Sequence, residues 1–331
     1  MDFDDDGIKD LISGSYDPGT VYLFRGLGKG EYAKREPITD ETGIPLVHAP
    51  NAMRELVALR KRKDAKKETT ESVDPKKAAR AERRLKNQLI QLTMASFASW
   101  PALVDYDNDG DLDMLIGTFG GNVTLRLNEG TAKSPKYSGE ATFLESGTRM
   151  MSVSGHANPA VTDWDGDGLW DLLVSAENGS VIFFRNEGTA EEPKFAKRKL
   201  VVKSGLAKMQ NIKFDEEPAR GTRAQICVTD YNLDGKPDLI IGDYGSVSQL
   251  KQLDDEQQVE LEKLLAREKV LSKTVTHLED NDGIENEAFE DEEKEDAYQK
   301  MTLELIELQN KKKEFYISNG YTSYLWLYIR K

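Results

Sequence analysis

"DYDNDGDLDMLIG", residues 105–117, sets five aspartates, an asparagine and a glycine into its first nine positions, then passes straight into an apolar run. The run "PALV" (101–104) stands directly before it. Like charges at that density repel, so a folded chain must compensate them. The pattern recurs as "DFDDDGIKDL" (2–11), "DWDGDGLWDLL" (163–173) and "DYNLDGKPDLI" (230–240), which makes the chain an internal repeat. Each copy is followed by paired apolar runs around a Gly-containing or small-residue turn: "LISGSYDPGTVYLFRG" (11–26), "LIGTFGGNVTLRLNEG" (115–130) and "LLVSAENGSVIFFRNEG" (172–188). Runs of Val, Ile, Phe and Tyr bounded by Gly, Asn and Asp predict strands joined by hairpins. After two copies a further strand is expected beyond "NEGT" and "SPKY" or "EEPKF". The unit is therefore a small antiparallel sheet of roughly 50–60 residues.

Alternate side chains of a D-x-D-x-D-G-x-x-D loop converge on one point, and the glycine permits the sharp turn that lets them. A divalent cation relieves the resulting repulsion, and Ca²⁺, with its many oxygen ligands and flexible geometry, suits the donor count better than Mg²⁺. An EF-hand would need a glutamate at the twelfth position and flanking helices. Here the twelfth positions are Ser13, Ile116, Val174 and Ile241, inside strand-like runs. The thrombospondin-type calcium repeat leans on disulfides, which a single cysteine, Cys227, cannot supply. Paired carboxylates also serve glycoside hydrolysis, but four equivalent clusters do not suit one asymmetric active site.

Two segments break the period. "MRELVALRKRKDAKKETTESVDPKKAARAERRLKNQLIQL" (53–92) reads as helix, break, helix, and residues 54–86 carry 13 basic against 6 acidic side chains. The second, 250–315, interrupts the fourth repeat between two strands, because "DLIIGDYG" resumes as "GYTSYLWLYIRK". Leu261, Leu264, Leu271, Val275 and Leu278, then Tyr298, Met301, Leu305 and Leu308 after a polar break, fall near heptad a and d positions. That spacing predicts an antiparallel helical hairpin or coiled coil. Residues 251–314 hold 20 acidic and 10 basic groups, so the two insertions are opposite in sign.

At 331 residues, 38% of them hydrophobic, the chain can bury a sizeable core, and a net charge of −14 argues against a nucleic-acid partner. No apolar run approaches the roughly 18 residues that a membrane span needs. The chain opens inside an acidic loop with no strand before it, from which we expect residues upstream of Met1.

The four acidic loops and their hairpins resemble FG-GAP or VCBS repeats, the calcium-binding β-propeller blades of integrin alpha chains and of many secreted bacterial proteins. The resemblance covers 1–48, 94–148, 152–203 and 221–248 with 318–331, and leaves out the helical insertions at 52–92 and 250–315. It implies an all-β fold, a single β-propeller domain over 1–331 with at least four blades and more upstream. It also implies up to four Ca²⁺ ions. Their side-chain ligands would be Asp2, Asp4, Asp6 and Asp10; Asp105, Asp107, Asp109 and Asp113; Asp163, Asp165, Asp167 and Asp171; and Asp230, Asn232, Asp234 and Asp238. Carbonyls of Ile8, Asp111, Leu169 and Lys236 would complete the shells, and Asn232, a neutral oxygen, should weaken the fourth.

In such a blade the ion pins a hairpin, so ligand binding is expected at the opposite face. Both helical insertions are expected on that face, where they would meet as a cap over the propeller axis or stand as separate solvated arms. The segments "SFASWP", "VSGHANP" and "ARGTRAQI" lead to that face too, which makes Trp100, His156 and Arg223 candidate ligand contacts. The resulting expectation is a non-enzymatic, calcium-stabilised module that binds a protein or glycan outside the cytoplasm. An extracytoplasmic enzyme acting on polysaccharide, with its site in the funnel, is the alternative, and a partner docking on the helical hairpin is a third. No nucleophile elbow or zinc motif appears, and "GLGKGEY" (26–32) lacks the helix that a phosphate loop requires.

Overall fold

A computed structural model describes residues 1–67, 75–205, 209–212, 219–281 and 292–330. Among the described residues the protein is mostly β, with several antiparallel sheets and four α-helices, consistent with an all-β repeat fold. No closed barrel or propeller is detected among the described residues. The chain divides into two compact units: Met1–Leu206 with Arg220–Asp243 and Tyr324–Lys331, and Ala207–Ala219 with Tyr244–Ser323.

Among the described residues the larger unit holds, in chain order, four sheets of three or four strands and two short two-stranded hairpins. The first joins β1 (Leu11–Ser13), β2 (Tyr22–Phe24) and, beyond the small hairpin β3 (Gly26–Gly28) and β4 (Glu31–Tyr32), β5 (Glu36–Pro37). Helices α1 (Pro50–Lys67) and α2 (Pro75–Ala95) follow. Each starts on a proline, whose missing N–H costs nothing at the first helical position. The helices pack on each other, and Met53 and Leu56 of α1 cluster with the buried Val47 that precedes it.

The second sheet is a meander of β6 (Ser99–Val104), β7 (Asp113–Thr118), β8 (Val123–Arg126) and β9 (Thr142–Phe143). A short hairpin, β10 (Glu145–Ser146) and β11 (Arg149–Met150), leads to the third. That meander comprises β12 (Asn158–Thr162), β13 (Asp171–Ser175), β14 (Val181–Phe184) and β15 (Lys199–Val202). In the fourth sheet β17 (Thr222–Thr229) pairs with β18 (Asp238–Leu250), whose Leu239–Gly242 pair in turn with β20 (Leu325–Tyr328).

The core lies between consecutive sheets. Met114 and Ile116 of β7 pack with Val21, Leu23 and Phe3 of the first repeat. Leu115, on the other face of the same strand, packs with Leu172, Val174 and Phe184 of the third. Leu173 turns the other way and joins Leu239 and Ile241 of the fourth. Both faces of the second strand of each meander are thus covered, which is why "MLIG" and "LLVS" read as continuous apolar runs and not as alternation. The first strand β12 packs against β6 and β7 on one side and β17 on the other.

Backbone bonds lock the repeats together at the end away from the acidic loops. Ser99 N donates to Ser15 O at 3.1 Å, Ala157 N to Thr118 O at 3.0 Å, and Ala224 N to Ala176 O at 3.2 Å. The approach is so close at Gly117 that a Cβ there would sit 1.9 Å from Ala157 O, which excludes any other residue. Arg126, fully buried, adds a polar tie: its guanidinium donates to Ser138 O at 2.7 Å and Val47 O at 3.1 Å, and lies 3.4 Å from the buried Asp40 carboxylate.

The smaller unit contains β16 (Met209–Ile212), parallel to the second half of β18, with β19 (Tyr316–Thr322) antiparallel to that half. Helices α3 (Asp255–Asn281) and α4 (Glu292–Lys312) pack against each other. Leu261 and Leu271 are buried and Leu264, Met301, Leu305 and Leu308 half-buried, whereas Leu265, Leu303 and Ile306 are exposed. Arg267 holds Glu304 through two bonds of 2.7 and 2.9 Å, and Lys312 holds Glu268 at 2.7 Å. The side chains of Val275, Leu278 and Tyr298, and most of the polar break between the helices, lie outside the described residues.

Candidate functional site

The four acidic loops share one backbone. Their fourth residues, Asp5, Asn108, Gly166 and Leu233, and their sixth, Gly7, Gly110, Gly168 and Gly235, all take positive φ. A leucine at φ 61 is costly, by about 1–2 kcal/mol, so the surrounding bonds must impose the turn.

Those bonds come from the aspartates. The first carboxylate of each loop, Asp2, Asp105, Asp163 or Asp230, accepts the N–H groups four and five residues on, at 2.8–3.2 Å across the four loops. The third, Asp6, Asp109, Asp167 or Asp234, accepts the N–H two residues on, at 2.7–3.0 Å. The last, Asp10, Asp113, Asp171 or Asp238, is buried and acts as a brace. One of its oxygens accepts the N–H of Phe3, Tyr106, Trp164 or Tyr231 within the loop. The other accepts an N–H from just beyond the next strand: Gly26, Asn128, Asn186 or Arg330, at 2.7–2.8 Å. The first three of these partners lie 15 or 16 residues down the chain and the fourth 92, so the fourth repeat keeps the same brace across its long insertion.

Carboxylate oxygens approach within 4.8 Å of one another in three loops: Asp2, Asp4 and Asp6; Asp105, Asp107 and Asp113; and Asp163, Asp165 and Asp171. In the fourth, among the described residues, no such trio of carboxylates meets. Asn232 stands in the second place there and donates to Asp234 at 3.0 Å.

Charge compensation separates the loops. Directly before the residue that meets the brace stands Arg25 in the first repeat and Arg185 in the third, but Leu127 in the second and Ile329 in the fourth. Arg25 pairs with Asp4, and Arg185 reaches Asp165 at 2.5 Å and Asp167 at 2.8 Å. Among the described residues no lysine or arginine pairs with Asp105, Asp107, Asp109 or Asp113, and Asp107 Oδ1 is buried without a hydrogen-bond partner. Burial pushes the Asp113 carboxyl up to about 6, against the pull of two backbone N–H groups and with help from Asp107 and Asp111. The Asp171 carboxyl is raised for the same reason. Hard oxygens, a buried orphan acceptor and uncompensated charge make the loop at 105–113 fit a cation such as Ca²⁺.

Residues 105–174 match the FG-GAP-like repeat. The matched FG-GAP-like segment runs from the second acidic loop through the third and into β13, one period of the structure and the loop that opens the next. No curated protein sequence matches the chain. No described helix is long and apolar enough to cross a membrane.

The opposite end of the repeats gathers the other candidate residues. His156 and Arg223 occupy one equivalent position, just before the locking bonds of Ala157 and Ala224; Ala98 holds it in the second repeat, and all three take positive φ. Trp100 lies 5.3 Å from His156, ring to ring, in a closed circuit with Phe119, Phe97 and Tyr16. His156 Nε2 and Arg223 Nε approach opposite oxygens of Glu177, each at 3.8 Å. Burial holds the His156 imidazole below its usual range, against the attraction of Glu177. Glu177, Tyr16, Phe97 and Phe119 belong to no motif; their only signal in the sequence is a place just after the second strand of a repeat or just before the first.

Proposed function

We propose that the chain is a calcium-pinned binding module whose repeats are propeller blades, acting outside the cytoplasm. The acidic loops hold ions that fix each first hairpin, and a protein or glycan is bound at the opposite end, around Trp100, His156 and Arg223. The observation that carries the reading is the loop at 105–113: three converging carboxylates, a buried unpartnered Asp107 oxygen and no cation from the described chain. Asp105, Asp107 and Asp113 would hold the ion, which supplies positive charge and a rigid clasp on β6 and β7. The FG-GAP-like match over 105–174 supports the blade and the setting, since such repeats are typical of extracellular proteins. Thermal unfolding in calcium, in magnesium and in chelator tests the ion. The midpoint should rise with calcium in a concentration-dependent way. An unchanged midpoint removes the ion from the proposal.

A further inference from the structure

We propose that the chain binds a neutral saccharide in the cavity where its four repeats meet, with Tyr16 as the stacking surface and Ser99, Asn158 and Gln225 as hydrogen-bonding groups. This names a ligand class for that end of the repeats and rests on that reading; of Trp100, His156 and Arg223, Trp100 lines the cavity and the other two lie outside its lining. The cavity measures about 280 Å³ and draws on every repeat: Ser15 and Tyr16, Ser99 and Trp100, Asn158, and Gln225.

Among the described residues no charged side chain lines it. A carboxylate or phosphate ligand would find no cation there, and an ammonium no anion. The polar groups present are hydroxyls and amides. Ser99 is only 6% exposed, yet its Oγ has no hydrogen-bond partner, and the buried Ser15 Oγ has none either. A purely apolar ligand would leave both as they are, whereas a ligand hydroxyl would supply the missing partner. Asn158 Nδ2 donates to Gln225 Oε1 at 3.1 Å, a bond that leaves the Asn158 carbonyl and the Gln225 amino group to a ligand. A sugar ring offers donors and acceptors on its rim and a C–H face to an aromatic ring. Tyr16, 53% exposed and propped edge to face against Trp100, presents such a ring.

The test is a glycan array of neutral hexose, pentose, deoxy and acetamido oligosaccharides, with polygalacturonate and heparin as acidic members, probed with the intact chain in calcium. Hits are titrated by calorimetry. A neutral oligosaccharide should bind, and Tyr16→Ala and Gln225→Ala should each weaken it tenfold or more. Both side chains are exposed, and unchanged melting will show that the variants fold. A blank array, binding confined to the acidic members, or neutral binding indifferent to both variants overturns the proposal. If the array is blank while calcium still raises the midpoint, the saccharide falls and the calcium module stands. If neutral glycans bind but calcium leaves the midpoint unchanged, the saccharide stands and the ion falls.

Discussion

The loops at 105–113 and 163–171 have the same backbone, the same Asp–N–H bonds and the same buried brace, yet they balance their charge differently. In the later loop Arg185 lies across Asp165 and Asp167; in the earlier one Leu127 takes the arginine's place and the charge stays open. One residue outside the motif decides whether the chain supplies its own counter-charge. The motif alone therefore specifies the turn, and the neighbouring strand specifies how much of the turn's charge the chain itself compensates.

The largest effect should be common to both loops. Asp113→Ala and Asp171→Ala each strand two backbone N–H groups, one of them buried, and should cost about 3 kcal/mol or more by chemical denaturation. A brace that mattered in only one loop would break the comparison at its base.

Titration should come next. Asp113 is raised from 3.8 to about 6, so in chelator the folded chain holds its proton more tightly than the unfolded one. That stability is present in full below about pH 4 and is lost as pH rises through about 6, an effect of order 2 kcal/mol. Carboxyl NMR in chelator should place the Asp113 midpoint near 6, and an ordinary midpoint would remove the effect of burial on the brace.

Asp107→Asn should weaken calcium binding tenfold or more, a loss of about 1.4 kcal/mol, with Asp165→Asn losing less because Arg185 already shares that carboxylate's field. Equal losses in calorimetry would erase the distinction. The exchange variants sharpen it most finely. Leu127→Arg should lower calcium affinity at the earlier loop, and Arg185→Leu should raise it at the later one. Since Arg185 is well exposed, Arg185→Leu should leave the unfolding midpoint in saturating calcium close to that of the parent chain.

Much of this was legible in sequence because the signals are local. The positions of Asp2, Asp105, Asp163 and Asp230 and of the glycines five residues later predict four equivalent turns, and the turns form with matching φ. The helical pattern at 250–315 predicts a hairpin, and α3 and α4 pack as one. Trp100 and His156, named from their place before the first strands, lie in ring contact. Less legible were the non-local partners. Glu177 joins His156 and Arg223 from 21 and 46 residues away in the chain, and Arg330 N meets Asp238 across a whole inserted unit.

By itself, then, the sequence determined the repeat, its acidic turns and the crowding of carboxylates in them, since each depends on spacing within a dozen positions and on backbone chemistry. Only the tertiary structure decided which loops are neutralised from within, that the last aspartate of each loop is a buried brace, and that four repeats converge on one uncharged cavity. Those properties depend on which strand ends are neighbours in space. Electrostatic compensation and burial act across a few ångströms regardless of how much chain lies between.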